Sequence, residues 1–386
     1  MAQTELNSAH RVQKWNADFF AEYVRDTRFR PFMGRATGNG AMMPIITKYD
    51  LEAGGKTVNV PLITRLKSGG VQGTSRLIGN EEALGNYNQA ITVNWNRNGV
   101  VVTKPDEAWT EMDLRNAAKM MLRTWASEGL RDDIIVAMMA FANSSWLKGK
   151  LADSTSSAAL SPLEAYNALS EATKDAWLAA NTDRFLFGAA VSNHSANDHS
   201  AALANVDTTN DRGSAANLSL AKSVALEAGR TTLVTGRNIR PFKTDDSAGQ
   251  EYFVMFVGSR TFRDIKRDTT IATANRDARP REVGSNPIFQ DGDLIWDGII
   301  IREVPEIPVL ASVGASSSDV QPAFLCGAQA VSVAWGQEPT SRIKKEDDYG
   351  FEYGVAIEEC RGVAKNVYNG VQHGMVNCYF SAPAAV

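Results

Sequence analysis

The chain has 386 residues, of which 44% are hydrophobic and 22% charged, as in a globular protein large enough for two or three domains. Its net charge of −4 gives no overall basic footprint for nucleic acid or an anionic membrane. No apolar run reaches the ~18 residues of a transmembrane helix, and the first residues lack a signal-peptide core. Three scattered cysteines are too few for a disulfide framework, so we expect a soluble protein made in a reducing cytoplasm.

Residues 1–45 are predicted to form an arm. Trp15, Phe19 and Phe20 recur at helical spacing, and the prolines and glycines of "RPFMGRATGNGAMMPI" then break any helix. An apolar helical face followed by an irregular segment indicates that this terminal region packs on another surface. A surface helix packed on the chain's own core is an equal alternative.

Residues 46–104 predict a long two-stranded hairpin. The segments "GKTVNVPLITRL" and "QAITVNWNRNGVVV" alternate apolar and polar residues, and a glycine-rich stretch separates them. Because an isolated hairpin is marginally stable in water, we expect it to rest on its own domain or on a neighbouring molecule. The region is also basic. It is either a solvated surface of the chain or an arm that binds an acidic surface of a partner. Its basic residues are Lys56, Arg65, Lys67, Arg76, Arg97 and Lys104.

A long helix is predicted from Thr103 onward. Thr103 and Asp106 have the spacing of a capping box, and Pro105 suits the first turn. Apolar residues then recur at spacings of three and four, which predicts a face directed at the core. The predicted stripe is Leu114, Ala117, Ala118, Met121, Leu122 and Trp125, followed by Ile134, Ile135, Met138, Met139 and Phe141.

Residues 143–215 are rich in small and polar residues. The segment "SPLEAYNALSEATKDAWLAAN" predicts one helix that Ser161 caps, with Pro162 in its first turn and Glu164 closing a capping box. Residues 193–215 are predicted to be a polar insertion without a core. The insertion contains His194 and His199, which we interpret as an incidental exposed pair, since a zinc site needs three or four placed ligands.

From residue 217 a short helix and then strands and turns follow, without a helix between each pair of strands. This order favours an α+β fold over a doubly wound sheet. The segment "DGDLIWDGIII" resembles a calcium loop, but Ile295, Trp296 and Arg302 occupy positions where such a loop needs a ligand, a glycine and a glutamate. We therefore predict turns at Asp291-Gly292 and Asp297-Gly298.

The sequence offers no catalytic signature. It lacks a phosphate-binding P-loop, a GxGxxG after a strand, a GxSxG elbow and an HExxH helix. Cys326, Cys360 and Cys378 lie in apolar surroundings and are interpreted as buried hydrophobic residues. We therefore predict no catalytic residue, no cofactor and no metal site.

The order of these parts resembles the HK97 fold of tailed-bacteriophage major capsid proteins. An arm, a glycine-tipped basic hairpin, a long helix and an α+β body correspond to the N-arm, E-loop, spine helix, P-domain and A-domain of that group. Several segments resemble one branch of it directly. They are "LKSGGVQGTSRLIGNEEALGNYNQAITVNWNRNGVVV", "RFLFG", "IRPF", "NPIFQDGDLIWDGIIIREVPEIP" and "LCGAQAVSVAWG".

The resemblance implies a major capsid protein that assembles through hexamers and pentamers into an icosahedral shell around phage double-stranded DNA. It divides the chain into an N-terminal arm (1–45), an E-loop (46–104), a P-domain with the spine helix and the polar insertion (105–230), and an A-domain with returning P-domain strands (231–386). An encapsulin-type compartment of the same fold is the first alternative. An α+β hydrolase with unplaced carboxylates is the second.

The resemblance also implies where subunits meet. Lys56, Arg65, Lys67, Arg76 and Arg97 of the E-loop, and Trp15, Phe19 and Phe20 of the N-arm, would contact a neighbouring copy. The expected partners are the chain itself, scaffolding, portal or decoration proteins, and packaged DNA without sequence specificity, with no membrane. The shell would assemble in the host cytoplasm and become the virion capsid. A hypothetical acidic partner surface consists of Asp153, Glu164, Glu171, Asp175 and Asp183.

Overall fold

The computed structural model combines helices and sheets in one mixed α+β architecture, as the sequence predicts. It describes residues 28–36, 42–49, 55–63, 68–109, 114–155, 158–229, 239–243, 251–277, 294–347 and 351–384. The strands are β1 (Met33–Arg35), β2 (Ile45–Lys48), β3 (Thr57–Ile63), β4 (Asn86–Thr92), β5 (Asn94–Thr103), β6 (Trp146–Leu147), β7 (Lys150–Leu151), β8 (Phe185–Phe187), β9 (Phe253–Val257), β10 (Leu294–Trp296), β11 (Ile299–Glu303), β12 (Val320–Cys326), β13 (Val331–Asp347), β14 (Glu352–Lys365), β15 (Val367–Tyr368), β16 (Val371–Gln372) and β17 (Met375–Ser381). The α-helices are α1 (Lys104–Trp109), α2 (Leu114–Met139), α3 (Pro162–Asn167), α4 (Glu171–Ala180), α5 (His199–Ala204), α6 (Ala215–Glu227), α7 (Ser259–Arg267) and α8 (Thr269–Asp277).

The first sheet is built around the long strand β14. Its order is β1-β2-β13-β14-β6-β7, and β5 pairs with β14 on the same side as β6. The β13–β14 pair is antiparallel and runs from Val331 opposite Lys365 to Asp347 opposite Glu352. The 26-residue helix α2 packs on β14 and supplies much of the core beneath the sheet.

The second sheet has the order β10-β11-β9-β12-β17-β8 and mixes parallel and antiparallel pairs. Its central strands β9, β12 and β17 are buried at every position. Strands covered on both faces have near-continuous apolar sequences, here "FVMFV" and "AFLC". Cys326 and Cys378 lie in this sheet and Cys360 in the first; all three are buried and unbridged, as predicted.

The predicted turn at Asp297-Gly298 is confirmed. Trp296 pairs with Ile299 across a two-residue connection between β10 and β11, and both connecting residues have positive φ. This geometry is that of a type I′ hairpin turn, for which Asp-Gly is a favoured dipeptide. The other predicted turn, Asp291-Gly292, lies outside the described residues.

The single helix predicted over residues 161–181 is two helices, α3 and α4. The capping box of Ser161 and Glu164 is present at the first helix, as predicted. The Ser170 hydroxyl accepts a hydrogen bond from the Thr173 amide and caps the second helix. A serine in mid-segment competes for backbone hydrogen bonds, and here that competition ends one helix and begins another.

The predicted polar insertion is wrong for residues 193–215, because this region contributes to the core. Ala202, Leu203 and Val206 are buried, and α5 is capped by the Asp198 side chain. His199 is 1% exposed and packs edge-on against Phe141, so it is not part of an exposed pair. Contacts with aromatic rings that are distant in sequence outweigh the polar composition here.

The predicted core stripe of α2 is confirmed in its second half and only in part in its first, where Leu114, Ala117 and Trp125 are half-buried. Ala118 and Leu122 in its first half, and Ile134, Ile135, Met138 and Met139 in its second, are buried. Met121 is 67% exposed, and Met120 beside it is 66% exposed. At helical spacing Met121 lies at the margin of the apolar face, where the body of the protein no longer covers it.

Candidate functional site

The β3–β4 hairpin is anchored at its base on the first sheet. Val58, Val60, Ile91 and Val93 point inward and form an apolar cluster with Ala334 of β13 and with Cys360 and Ala364 of β14. The strands alternate buried and exposed positions, as the sequence predicts for a hairpin covered on one face. The chain's own domain therefore supports the base of the hairpin.

Polar side chains tie this base to the segment that follows α2. The buried Gln89 donates from Nε2 to Asn143 Oδ1 at 2.6 Å. The Thr92 amide donates to Ser145 Oγ at 2.8 Å, and Asn94 Nδ2 donates to the Ala152 carbonyl at 2.6 Å. These bonds fix the direction in which the hairpin leaves the body.

The tip of the hairpin, residues 68–85, lies largely in solvent. Within the tip, the Ser68 amide donates to Glu82 Oε2 at 2.6 Å, and the Asn80 amide donates to the Leu77 carbonyl at 2.9 Å. Leu77 is 61% exposed, Ile78 85% and Leu84 65%. Large apolar side chains clustered on an extended segment mark an interaction surface more often than a solvated loop.

The structure separates the predicted basic residues. Lys56 is exposed immediately before β3, at the base of the hairpin, and Arg76 is exposed in the tip. Arg97 is exposed on β5, opposite Glu358 in the sheet, and therefore does not belong to the hairpin. Arg65 and Lys67 lie outside the described residues, as do Trp15, Phe19 and Phe20.

The predicted second strand of the hairpin is divided between two sheets. β4 pairs with β3, whereas β5 pairs with β14, so the chain passes from hairpin to sheet at the buried Val93. β5 also exposes apolar side chains: Trp95 is 53% and Val101 53% exposed. Sequence alternation predicted both strands but did not indicate that their partners differ.

A buried ionic cluster lies beneath β5. Arg361 of β14 contacts Asp133 of α2 and Glu359 of β14, and none of the three side chains is exposed. Asn96 Nδ2 donates to Glu359 Oε1 at 2.7 Å. The cluster thereby connects α2, β14 and β5, the elements from which the hairpin emerges.

The buried Lys365 and the half-buried Lys148 have lowered pKa values because burial disfavours the charged ammonium. The pKa of Lys148 falls to about 8; its Nζ donates to the Trp125 carbonyl at 3.0 Å and lies over the Trp125 ring. The pKa of Lys365 falls to about 7, with Gln372 Oε1 3.3 Å from Nζ. Lys365 is packed into the interior and Lys148 is partly covered, whereas Arg76 in the hairpin tip is exposed.

Within the described ranges, no group of three or more histidine, cysteine or acidic residues is arranged to hold a metal ion. In that same part of the chain, no helix is both long and apolar enough to cross a bilayer.

The structure is a two-sheet body with an anchored hairpin whose exposed apolar tip is the kind of surface through which proteins associate. The family profile described as phage capsid protein matches residues 3–381. The capsid asymmetric unit of cyanophage Pam1 is 37% identical, with 100% of both chains covered and a TM-score of 0.76. The chain belongs to the phage capsid protein family.

Two further relatives agree with this assignment. The major capsid protein of Pseudomonas phage KPP25 is 24% identical over 389 residues, which cover 95% of this chain and 94% of that protein. The capsid of Ralstonia phage GP4 shares the fold, with 21% identity, 92% of this chain and 90% of that chain covered, and a TM-score of 0.68. The predicted phage major capsid protein is confirmed over the encapsulin and hydrolase alternatives. The chain is a shell-forming virion component and not an enzyme.

Proposed function

We propose that the chain assembles through hexamers and pentamers into an icosahedral shell around phage double-stranded DNA, with the hairpin lying across an adjacent subunit. The exposure of Ile78, 85% in a segment with no core of its own, carries this proposal. A hairpin tip gains stability when it buries its apolar face on a partner. The net charge of −4 is compatible with DNA held by confinement, because sequence-independent retention needs few specific contacts.

In this proposal the parts take the roles of an HK97-type subunit. Residues 46–104 serve as the E-loop, with β3 and β4 as its stem, and residues 1–45 serve as the N-arm. Helix α2, 26 residues long, is the spine helix of a P-domain over 105–230. Residues 231–386 supply an A-domain and the returning strands β13 and β14. The compact second sheet supports the A-domain role, and the packing of α2 on β14 supports the P-domain role.

The proposed charged contacts of residues 46–104 are Lys56, Arg65, Lys67 and Arg76, together with Arg97 on the adjoining strand β5. The proposed apolar contacts of the N-arm are Trp15, Phe19 and Phe20. The first partner is another copy of the chain. Scaffolding, portal or decoration proteins would join the shell at other surfaces.

The test is charge reversal in the hairpin. The triple substitution Arg65→Glu, Lys67→Glu and Arg76→Glu should leave soluble, folded subunits that fail to form shells, because an attractive contact becomes repulsive. Particle formation is measured by size-exclusion chromatography and negative-stain microscopy of the chain expressed alone and with its scaffolding protein. Normal shells from this variant would rule out the proposed role of these residues.

A matched control reverses three exposed cations outside the hairpin. Arg212→Glu, Lys266→Glu and Arg267→Glu change the net charge by the same amount, and all three residues are exposed. Shells from this control, with none from the hairpin variant, assign the effect to position and not to total charge.

A further inference from the structure

The strongest unassigned feature is an apolar cavity beside the base of the hairpin. Within the described residues it opens between the β6–β7 turn and α3 and has a volume of about 450 Å³. Its lining includes Ala142, Trp146, Leu151, Leu160, Ala165 and Leu169. An engineered apolar cavity of ~150 Å³ holds a benzene ring, so this cavity has room for more than one aliphatic side chain.

The chain's own hairpin tip does not fill this cavity. Leu77 and Ile78 are 61% and 85% exposed, and the cavity lining leaves Leu151 45% exposed. Two apolar surfaces on the same subunit thus face solvent without covering each other. Because the chain is a shell-forming capsid protein, every subunit has neighbours that carry both surfaces.

Charge around the two surfaces is complementary. Arg76 is exposed and immediately precedes Leu77 and Ile78 in the tip. Asp153 is exposed between the lining residues Leu151 and Ser154, and Glu164 is exposed immediately before the lining residue Ala165. Hydrogen bonds from the amide and hydroxyl of Ser161 lower the pKa of Glu164, so this carboxylate stays ionised at neutral pH.

We infer that this cavity receives Leu77 and Ile78 from the hairpin tip of a second copy of the chain, with Arg76 facing Asp153 and Glu164. The inference rests on the proposed E-loop role and identifies the surface of the neighbouring copy that the E-loop tip would contact.

The cavity lies next to the base of the receiving subunit's own hairpin. Asn143 and Ser145 bind that hairpin through Gln89 and Thr92, and they alternate in sequence with the lining residues Ala142 and Ser144. Each subunit would accept a tip next to the root of the hairpin that it donates. Such a head-to-tail contact generates a ring when its rotation closes.

Cysteine cross-linking between two differently mutated chains tests the inference. One chain carries Ile78→Cys and the other Ala168→Cys, at an exposed lining position of the cavity, and the two are co-expressed and oxidised after assembly. We expect a disulfide-linked dimer on non-reducing gels. The control pair, Ile78→Cys with Lys266→Cys, has its second cysteine at an exposed position away from the cavity and should give none. The three natural cysteines are buried, so they contribute little background.

A cavity-filling variant provides the second measurement. Ala168→Phe should raise the subunit concentration needed for half-maximal assembly by about tenfold, the equivalent of one lost apolar contact. Asn167→Phe, at the neighbouring exposed position outside the cavity lining, should leave that concentration unchanged. Neither variant alters a buried residue, so unassembled subunits should keep their unfolding midpoint.

The possible results separate the inference from the function on which it rests. Normal shells without the Ile78–Ala168 cross-link overturn the inference and leave the proposed function standing. A cross-link between Trp15→Cys and Ala168→Cys instead would assign the cavity to the N-terminal segment and equally overturn it. Failure of the unmodified chain to form shells with or without its scaffolding protein would overturn the proposed function.

Discussion

Arg361 and Asp133 form a fully buried ion pair, with 2.6 Å between Nη1 and Oδ2. Arg361 Nε also donates to Glu359 Oε1 at 2.9 Å, and Asp133 Oδ1 accepts from the Gly149 amide at 2.8 Å. One guanidinium therefore joins the long helix to the central strand of the first sheet. The same aspartate fixes the β6–β7 turn beside the cavity.

Removing one partner of this pair should destabilise the subunit strongly. Asp133→Asn removes one of the carboxylates that contact Arg361 and leaves the guanidinium paired with Glu359. The expected loss is that of one buried hydrogen bond to a charged group, roughly 1.5–3 kcal/mol in the free energy of unfolding. Urea denaturation of unassembled subunits, followed by circular dichroism, measures it.

A more exposed ion pair between β13 and β14 is the matched comparison. Arg342 Nε lies 2.6 Å from Glu358 Oε1, but the arginine side chain is 67% exposed. Arg342→Ala should therefore cost at most about 1 kcal/mol, because solvent screens the pair. Equal losses from the Asp133 and Arg342 variants would contradict the role assigned to burial.

Lys365 should make the subunit more stable as the pH rises. Burial lowers its pKa to about 7, whereas an unfolded chain keeps the proton up to about pH 10.5. Between these values the unfolded state binds more protons, so the free energy of unfolding rises by up to about 1.4 kcal/mol per pH unit. Lys365→Met should remove this contribution and stabilise the subunit at pH 7.

The measurement is the difference in unfolding free energy between the two chains at pH 7 and pH 9.5. The difference should shrink or reverse at the higher pH, because the cost of deprotonating this lysine on folding falls as the pH approaches the pKa of the unfolded state. Lys56→Met, at an exposed position, should give a difference that does not change with pH. A Lys365 variant with the same lack of pH dependence would show that this lysine stays charged in the fold.

The sequence predicted the elements whose local chemistry is self-contained. The capping box at Ser161, the Asp-Gly turn at Asp297 and the alternating strands β3 and β4 each depend on neighbouring residues and were found as predicted. The core position of the second half of α2 followed from helical periodicity. Predictions from local patterns are correct at these positions because the tertiary contacts favour the same backbone conformation as the local sequence.

Features that depend on distant partners could not be predicted in the same way. Asp133 and Arg361 are 228 positions apart, and each lies beside other charged residues in sequence, so local pattern does not distinguish the buried charges from their neighbours. The polar neighbours of His199 in sequence predict an exposed side chain, whereas its neighbours in space are Phe141, Phe187 and Tyr379. The cavity beside α3 arises where separate elements meet, and no spacing rule encodes it.

His199 should make the subunit sensitive to acid. Burial, reinforced by Lys174, lowers its pKa to about 4, while Glu171 at 3.6 Å and the nearby Asp175 oppose the shift. Tyr166, whose hydroxyl lies 3.4 Å from Nε2, completes its polar surroundings. The unfolded chain binds more protons between about pH 6.5 and 4, so stability is full above this range and falls through it, by about 3 kcal/mol at most.

Replacing the imidazole by an apolar ring should reduce this loss. His199→Phe suits an aromatic environment and should lessen the fall in unfolding free energy between pH 6.5 and 4.5, measured by denaturant titration at each pH. His194→Phe is the comparison, since His194 is half-buried and its pKa is lowered by burial to a smaller extent. An unchanged acid response in the His199 variant would assign the loss to carboxylates elsewhere.

Two hairpin turns of the same type should respond differently to the same substitution. Lys148-Gly149 joins β6 to β7 and Asn369-Gly370 joins β15 to β16, and all four residues have positive φ. A Cβ at Gly370 would meet no heavy atom within 4 Å, whereas one at Gly149 would lie 2.0 Å from the Leu160 carbonyl oxygen. Gly370→Ala should therefore cost only the backbone strain, about 1–2 kcal/mol. Gly149→Ala must also displace the backbone of the β6–β7 turn, which the hydrogen bond from the Gly149 amide to Asp133 holds in place. The urea midpoint of unfolding should therefore fall further for Gly149→Ala than for Gly370→Ala. Equal midpoints for the two variants would mean that the β6–β7 turn can shift freely, which would contradict its fixed place beside the cavity.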